Sequence, residues 1–203
     1  MKTRILLTFA FVLMAMPSWA ESPNGNLRVM FSSANPTGSF GGNFDVGGGM
    51  IVPAEIEADS TFAFGIVYEA RVGDRWGFES GIYFADFDFE IQAAGLSLDF
   101  GSSLAIPLIV GANYHFVSRD HIDLYAGPQL VYTLWGNLDT PVGTAEIDGD
   151  FGFGAVAGAD FRLGKSGWTF NLATRYLGTA LSDASATVDV DPLLVEAGMG
   201  YRF

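Results

Sequence analysis

Counting back from Phe203 by twos, Tyr201, Met199, Ala197, Val195 and Leu193 are all apolar, and Arg202, Gly200, Gly198, Glu196 and Leu194 stand between them. Strict alternation ending on an aromatic residue describes a β-strand with one oily face and one largely polar face. A water-soluble domain seldom ends this way. The closing strand of a membrane barrel does, because it must pair with the first strand and present an apolar face to lipid.

The other end of the chain agrees. Lys2 and Arg4 precede an apolar run from Ile5 to Met16, followed by Pro17, Ser18, Trp19 and Ala20. A charged head, a short apolar core and a small-residue cleavage site make up a secretion signal, and the run is too short to span a bilayer as a helix. The expected organisation is a signal over residues 1–20, cleaved before Glu21, and a single domain over residues 21–203. The chain has no cysteine, which excludes disulfides and thiolate metal sites.

Between the two ends, no stretch keeps apolar residues at helical spacing for three turns without Gly, and short alternating segments separated by turn residues recur instead. Eight such segments are marked by Leu27 to Phe31, Phe62 to Ala70, Trp76 to Phe84, Leu104 to Phe116, Ile122 to Leu134, Phe151 to Phe161, Trp168 to Tyr176, and the C-terminal strand. Short and long connections alternate. The predicted fold is all-β: an eight-stranded antiparallel up-and-down transmembrane β-barrel of bacterial outer-membrane type. Tyr68, Trp76, Tyr114, Phe116, Phe161, Trp168, Tyr201 and Phe203 collect near the short turns, as an interfacial girdle would. The Gly-rich stretch from Ala34 to Asp59 reads as a long loop, and a first membrane strand within it stays open.

This map sorts the charges. The chain carries 23 Asp and Glu against 10 Lys and Arg, a net charge of -13. Arg71, Arg75, Arg119 and Lys165 fall in or beside short turns, and the long loops and strand tops hold carboxylates only, among them Asp45, Glu55, Asp59, Asp86, Asp88, Glu90, Asp99, Glu146 and Asp183. The plain reading is a solvated face that repels its neighbours. Divalent cations bridging these carboxylates to lipopolysaccharide form the sharper reading, although no stretch has the Asp and Gly spacing of a calcium loop. No metal site or cofactor is expected.

Inward parity divides the lumen. Near the short turns and at mid-height stand Arg28, Glu69, Glu79, His115, Asp123, Asp160, Arg162, Arg175, Glu196 and Arg202, with acids and bases nearly balanced. Isolated charges in a narrow lumen are costly, so the expectation is a plug of ion pairs, with Arg175 paired to Glu196. Toward the long loops the inward residues turn apolar: Tyr83, Phe87, Phe89, Ile91, Ile109, Val131, Trp135, Leu177 and Leu194. They predict either a pocket for a small apolar ligand or a packed minicore. A β-bulge in the third strand would return Phe87 and Phe89 to lipid.

Several segments carry a family resemblance: Asp191 and Pro192 with the ending Gly200, Tyr201, Arg202 and Phe203; Tyr125, Ala126 and Gly127 through Tyr132 and Thr133; and Trp168 to Tyr176. In their order and spacing they resemble the OmpW family of small outer-membrane barrels. The resemblance implies eight strands around a narrow hydrophobic lumen that helps small apolar molecules cross the lipopolysaccharide leaflet and leave sideways through the wall. The chain departs from the family in its Gly-rich first loop and its acidity.

An enzyme is not expected. Lipid-modifying barrels need a nucleophile and base near the membrane surface they serve, and His115 and His121 both fall at the short-turn end. A nucleophile elbow and a P-loop are absent, and the acidic balance argues against nucleic acid. Two classes remain: a passage or pocket for small hydrophobic molecules, or a structural or surface-interaction barrel with a sealed lumen. Expected partners are outer-membrane lipid and lipopolysaccharide, the barrel-assembly machinery reading the strand that ends in Phe203, and a small apolar ligand.

Overall fold

The computed structural model describes residues 25–45, 51–93, 95–140, 143–145, 147–182 and 187–203. The secretion signal expected over residues 1–20, the glycines at 47–49, Glu146 and Asp183 lie outside the described residues. In chain order the strands are β1 Gly25–Asn35, β2 Ser39–Asp45, β3 Ile51–Ala58, β4 Thr61–Val72, β5 Trp76–Ala93, β6 Leu96–Ser118 and β7 Ile122–Trp135. There follow β8 Leu138–Thr140, β9 Gly143–Ala145, β10 Asp150–Arg162, β11 Trp168–Leu177, β12 Ala180–Ser182, β13 Thr187–Asp189 and β14 Leu193–Arg202.

Eight of them, β1, β4, β5, β6, β7, β10, β11 and β14, form an antiparallel ring. It closes because β1 pairs with both β4 and β14 while β5 pairs with β4 and β6. The alternation seen in the sequence is the physical cause: successive side chains point to opposite faces, so every second residue of β11 and β14 is buried in the lumen and the others face out. The outer face exposes apolar side chains such as Phe31 (65 %), Phe62 (87 %) and Phe153 (76 %). Such a belt is unfavourable in water and satisfied in hydrocarbon.

The seam joins Leu27 to Tyr201, and below it Gly25 and Phe203 exchange two backbone hydrogen bonds, at 3.2 and 3.1 Å. Phe203 stacks on Tyr68 with ring centroids 6.3 Å apart. Trp76 with Tyr114 and Trp168 with Tyr201 make further edge contacts along the same short-turn rim.

The stretch between Ala34 and Asp59 lies between the first two ring strands, and its described part forms strands rather than irregular loop. β2 and β3 continue the β1–β4 hairpin upward, and β3 pairs with the top of β5, Ala54 opposite Ala93 to Ala58 opposite Phe89. β5 has 18 residues and β6 has 23, whereas about 9–11 suffice to cross a bilayer, so their excess length offers β3 an edge outside the membrane. A bulge does occur here, but between Phe89 and Glu90, one step beyond the aromatics. Phe87 and Phe89 therefore keep inward parity, and Asp86 and Asp88 stay exposed.

Candidate functional site: the two-zone lumen

The lower and middle lumen is filled by an ion-pair network drawn from all sides of the ring. Arg28 of β1 reaches Glu79 Oε2 at 3.1 Å, Glu69 Oε2 at 3.1 Å and Asp160 Oδ2 at 2.9 Å. Arg175 of β11 donates from Nη1 to Glu79 Oε1 at 2.8 Å and from Nε to Glu196 Oε1 at 3.2 Å. The Arg175–Glu196 pair arises because β11 and β14 are adjacent and Ala173 lies opposite Glu196, one inward position away. Each guanidinium also faces a ring: Arg28 over Tyr125 at 4.9 Å and Arg175 over Tyr83 at 5.2 Å.

Nearer the short turns, Asp123 is the hub. It takes Arg71 Nη1 and Arg202 Nη2, each at 3.0 Å, and lies 2.7 Å from His115 Nδ1. Amides complete the network: Asn113 and Gln129 donate to Glu79, and Asn26 and Asn171 to Asp160. Arg28, Glu69, Glu79, Asp123, Asp160, Arg175 and Glu196 are all buried, with no more than 2 % exposed. A buried charge is tolerable only when paired and hydrogen-bonded, and these are.

Of the nine charged residues expected in this network, Arg162 stands apart, making no ion pair among the described residues. Inward parity could also have nominated Asn26, Asn113, Gln129, Asn171 and Tyr125, which carry no charge, and Arg71, which the sequence reading assigned to a short turn. Two inward glycines make room for the large rings: a Cβ on Gly65 would strike the Tyr83 ring, and one on Gly158 would meet Tyr125 Oη at 2.5 Å.

Above this floor, Tyr83, Phe87, Phe89, Ile109, Val131, Trp135, Leu177 and Leu194 fall into one apolar cluster, each no more than 8 % exposed, and Ile91 packs against its edge. Phe87 and Trp135 face each other with centroids 6.2 Å apart. The cluster is capped by side chains that the sequence reading did not nominate: Leu138, Ile147, Leu181, Val188 and Val190, all from connections between ring strands. Connections carry no periodicity, so no sequence signal marked them. The cap is tethered by Trp135 Nε1 donating to Ala180 O at 2.8 Å, and by the Thr37 N–H donating to Val190 O at 3.2 Å.

The wall beside the cluster is uneven. β10 stays paired with β7 up to Asp150 opposite Thr133, but its ladder with β11 stops at Gly154 opposite Leu177. Above that point a backbone hydrogen bond from Gly178 N to Phe153 O, 2.9 Å, links the two.

A closed antiparallel ring with a lipid-facing apolar belt and a self-neutralised polar interior defines an outer-membrane β-barrel. The chain belongs to the outer membrane protein beta-barrel domain family, whose model matches residues 5–203. It is 27 % identical over 124 residues to an uncharacterised outer-membrane protein, y4mB, of Sinorhizobium fredii, a match spanning 56 % of this chain and 53 % of that protein. The chain thus matches about half the length of that relative. Its fold is similar to the crystal structure of OprG from Pseudomonas aeruginosa, with TM-score 0.71 and 18 % identity, covering 90 % of this chain and 96 % of that one. It is also similar to the solid-state NMR structure of AlkL in lipid bilayers, with TM-score 0.60 and 21 % identity, covering 91 % and 92 %. At these identities the likeness is one of fold.

Proposed function

We propose that this protein is an OmpW-type barrel that admits small hydrophobic molecules to its upper lumen, with the long loops extracellular and the short turns periplasmic. The observation that supports this most is the convergence of eight inward apolar residues into one cluster above a charged floor, with Ile91 at its edge. A wholly structural lumen could be filled with charge from end to end, and this one changes character at Tyr83. Because the cluster residues are enclosed, a ligand enters by displacing cap residues such as Leu181, Val188 and Val190. The ion-pair network bars the axial route. Exit is therefore sideways, through the wall beside Leu177, where the β10–β11 ladder stops at Gly154.

The reading is of a passive barrel without cofactor or metal. Its only buried histidine among the described residues, His115, is committed to Asp123. The closing strand ending in Phe203 is what the barrel-assembly machinery would read, and the carboxylate-bearing rim would face lipopolysaccharide.

Uptake of a fluorescent apolar probe into proteoliposomes tests the proposal. Phe87→Asp and Trp135→Asp should reduce uptake to that of empty vesicles, and Val131→Trp, which stays apolar but overfills the cluster, should slow it. Uptake equal to wild type in all three, with folded migration on unheated gels, supports a sealed minicore instead.

A further inference from the structure

Apart from Lys2 and Arg4, the chain has eight basic residues, of which Arg28 and Arg175 are spent inside the network. The other six line a single cavity of about 1170 Å³ at the short-turn mouth. They stand in two tiers. Arg71, Arg162 and Arg202 lie at the ends of β4, β10 and β14, while Arg75, Arg119 and Lys165 come one from each short turn.

Little among the described residues answers this charge. Asp74 and Asp120 are the only carboxylates lining the cavity. Arg71 and Arg202 each give one nitrogen to Asp123 at the cavity floor, Arg71 also lies 3.6 Å from Glu69 and donates to Asp74 O, and Arg75 gives one nitrogen to the Tyr114 hydroxyl. The side chains of Arg119, Arg162 and Lys165 make no ion pair among the described residues, and Arg119 and Lys165 are exposed. Lipid phosphates at the membrane surface could answer the turn residues, but the inner tier faces the lumen.

We propose that this mouth binds a phosphate group carried on a small molecule. A phosphate group presents several charged oxygens on one centre, and these match the forked donors of guanidinium groups. The cavity is wider than one ion and has room for the rest of the molecule. The group could belong to a lipid headgroup or to a soluble phosphate ester.

The folded protein in alkyl-glucoside micelles, which contain no phosphate, is titrated with pyrophosphate by calorimetry at low salt. Saturable binding is expected, and Arg162→Gln and Lys165→Gln should each weaken it about tenfold. Neither side chain holds an ion pair among the described residues, so both variants should keep folded migration on unheated gels. Repeating the titration in phosphatidylglycerol nanodiscs separates the sources: lost binding assigns the site to a lipid headgroup, retained binding to a soluble ester. Absence of saturable heat, or unchanged affinity in the double variant, overturns the proposal.

Discussion

Glu79 holds the plug together. Its carboxylate accepts from two arginines and two amides with no exposed surface. Glu79→Gln keeps the shape but leaves Arg28 and Arg175 short of charge, so a loss of about 3–5 kcal/mol is expected, read as a lower unfolding temperature by heat-modified gel migration. Arg202→Gln leaves the buried Asp123 with Arg71 and His115, so a smaller loss than for Glu79→Gln is expected. The interior at Tyr125 is tight for a different reason. Gly158→Val would drive two methyls into the phenol, and a cost of about 1–3 kcal/mol is expected from overpacking, measured the same way.

At the scale of the strand, parity decides everything. Inserting one alanine between Ala85 and Asp86 would turn Asp86 and Asp88 into the lumen and Phe87 and Phe89 outward, and the expected result is loss of the folded species. Inserting two alanines restores parity and should recover it. All eight ring strands were legible because a membrane barrel repeats one binary rule in every strand. Many of the charged plug residues were legible too, since a charge at inward parity has nowhere else to go, but Arg71 was hidden by its place beside a short turn and the nominated Arg162 makes no ion pair among the described residues. The amides beside them were overlooked because Asn26, Asn113, Gln129 and Asn171 are unremarkable until the carboxylates they serve are seen across the ring. The β2–β3 hairpin and the cap escaped for want of any rule: their position depends on the overhang of β5 and on which loops fold inward.

Over the whole molecule, charge is polarised along the axis. Glu55, Asp59, Asp86, Asp88, Asp99, Asp139, Asp148 and Asp189 are exposed at the long-connection end, opposite the basic mouth. Desolvation, with the charges of Glu90 and Asp88, raises the Asp59 carboxyl above its ordinary value. A carboxyl raised by folding disfavours the folded state once ionised, so its penalty is present above that raised value and vanishes as pH falls below the ordinary carboxylate range. Asp59→Asn should therefore raise the unfolding temperature slightly at pH 7 and leave it unchanged in strong acid.

The sequence by itself determined that this chain closes into a lipid-embedded barrel, because strict alternation to Phe203 leaves an apolar face that only hydrocarbon satisfies. It also determined which charges face inward, because side-chain direction has a period of two. Beyond the Arg175–Glu196 pair of adjacent strands, only the tertiary structure decided who pairs with whom. Arg28 lies 132 residues from Asp160, and ring closure alone brings them to 2.9 Å. The cap over the apolar zone and the gathering of six basic residues at one mouth are likewise products of closure, because they join side chains from segments that share no local pattern.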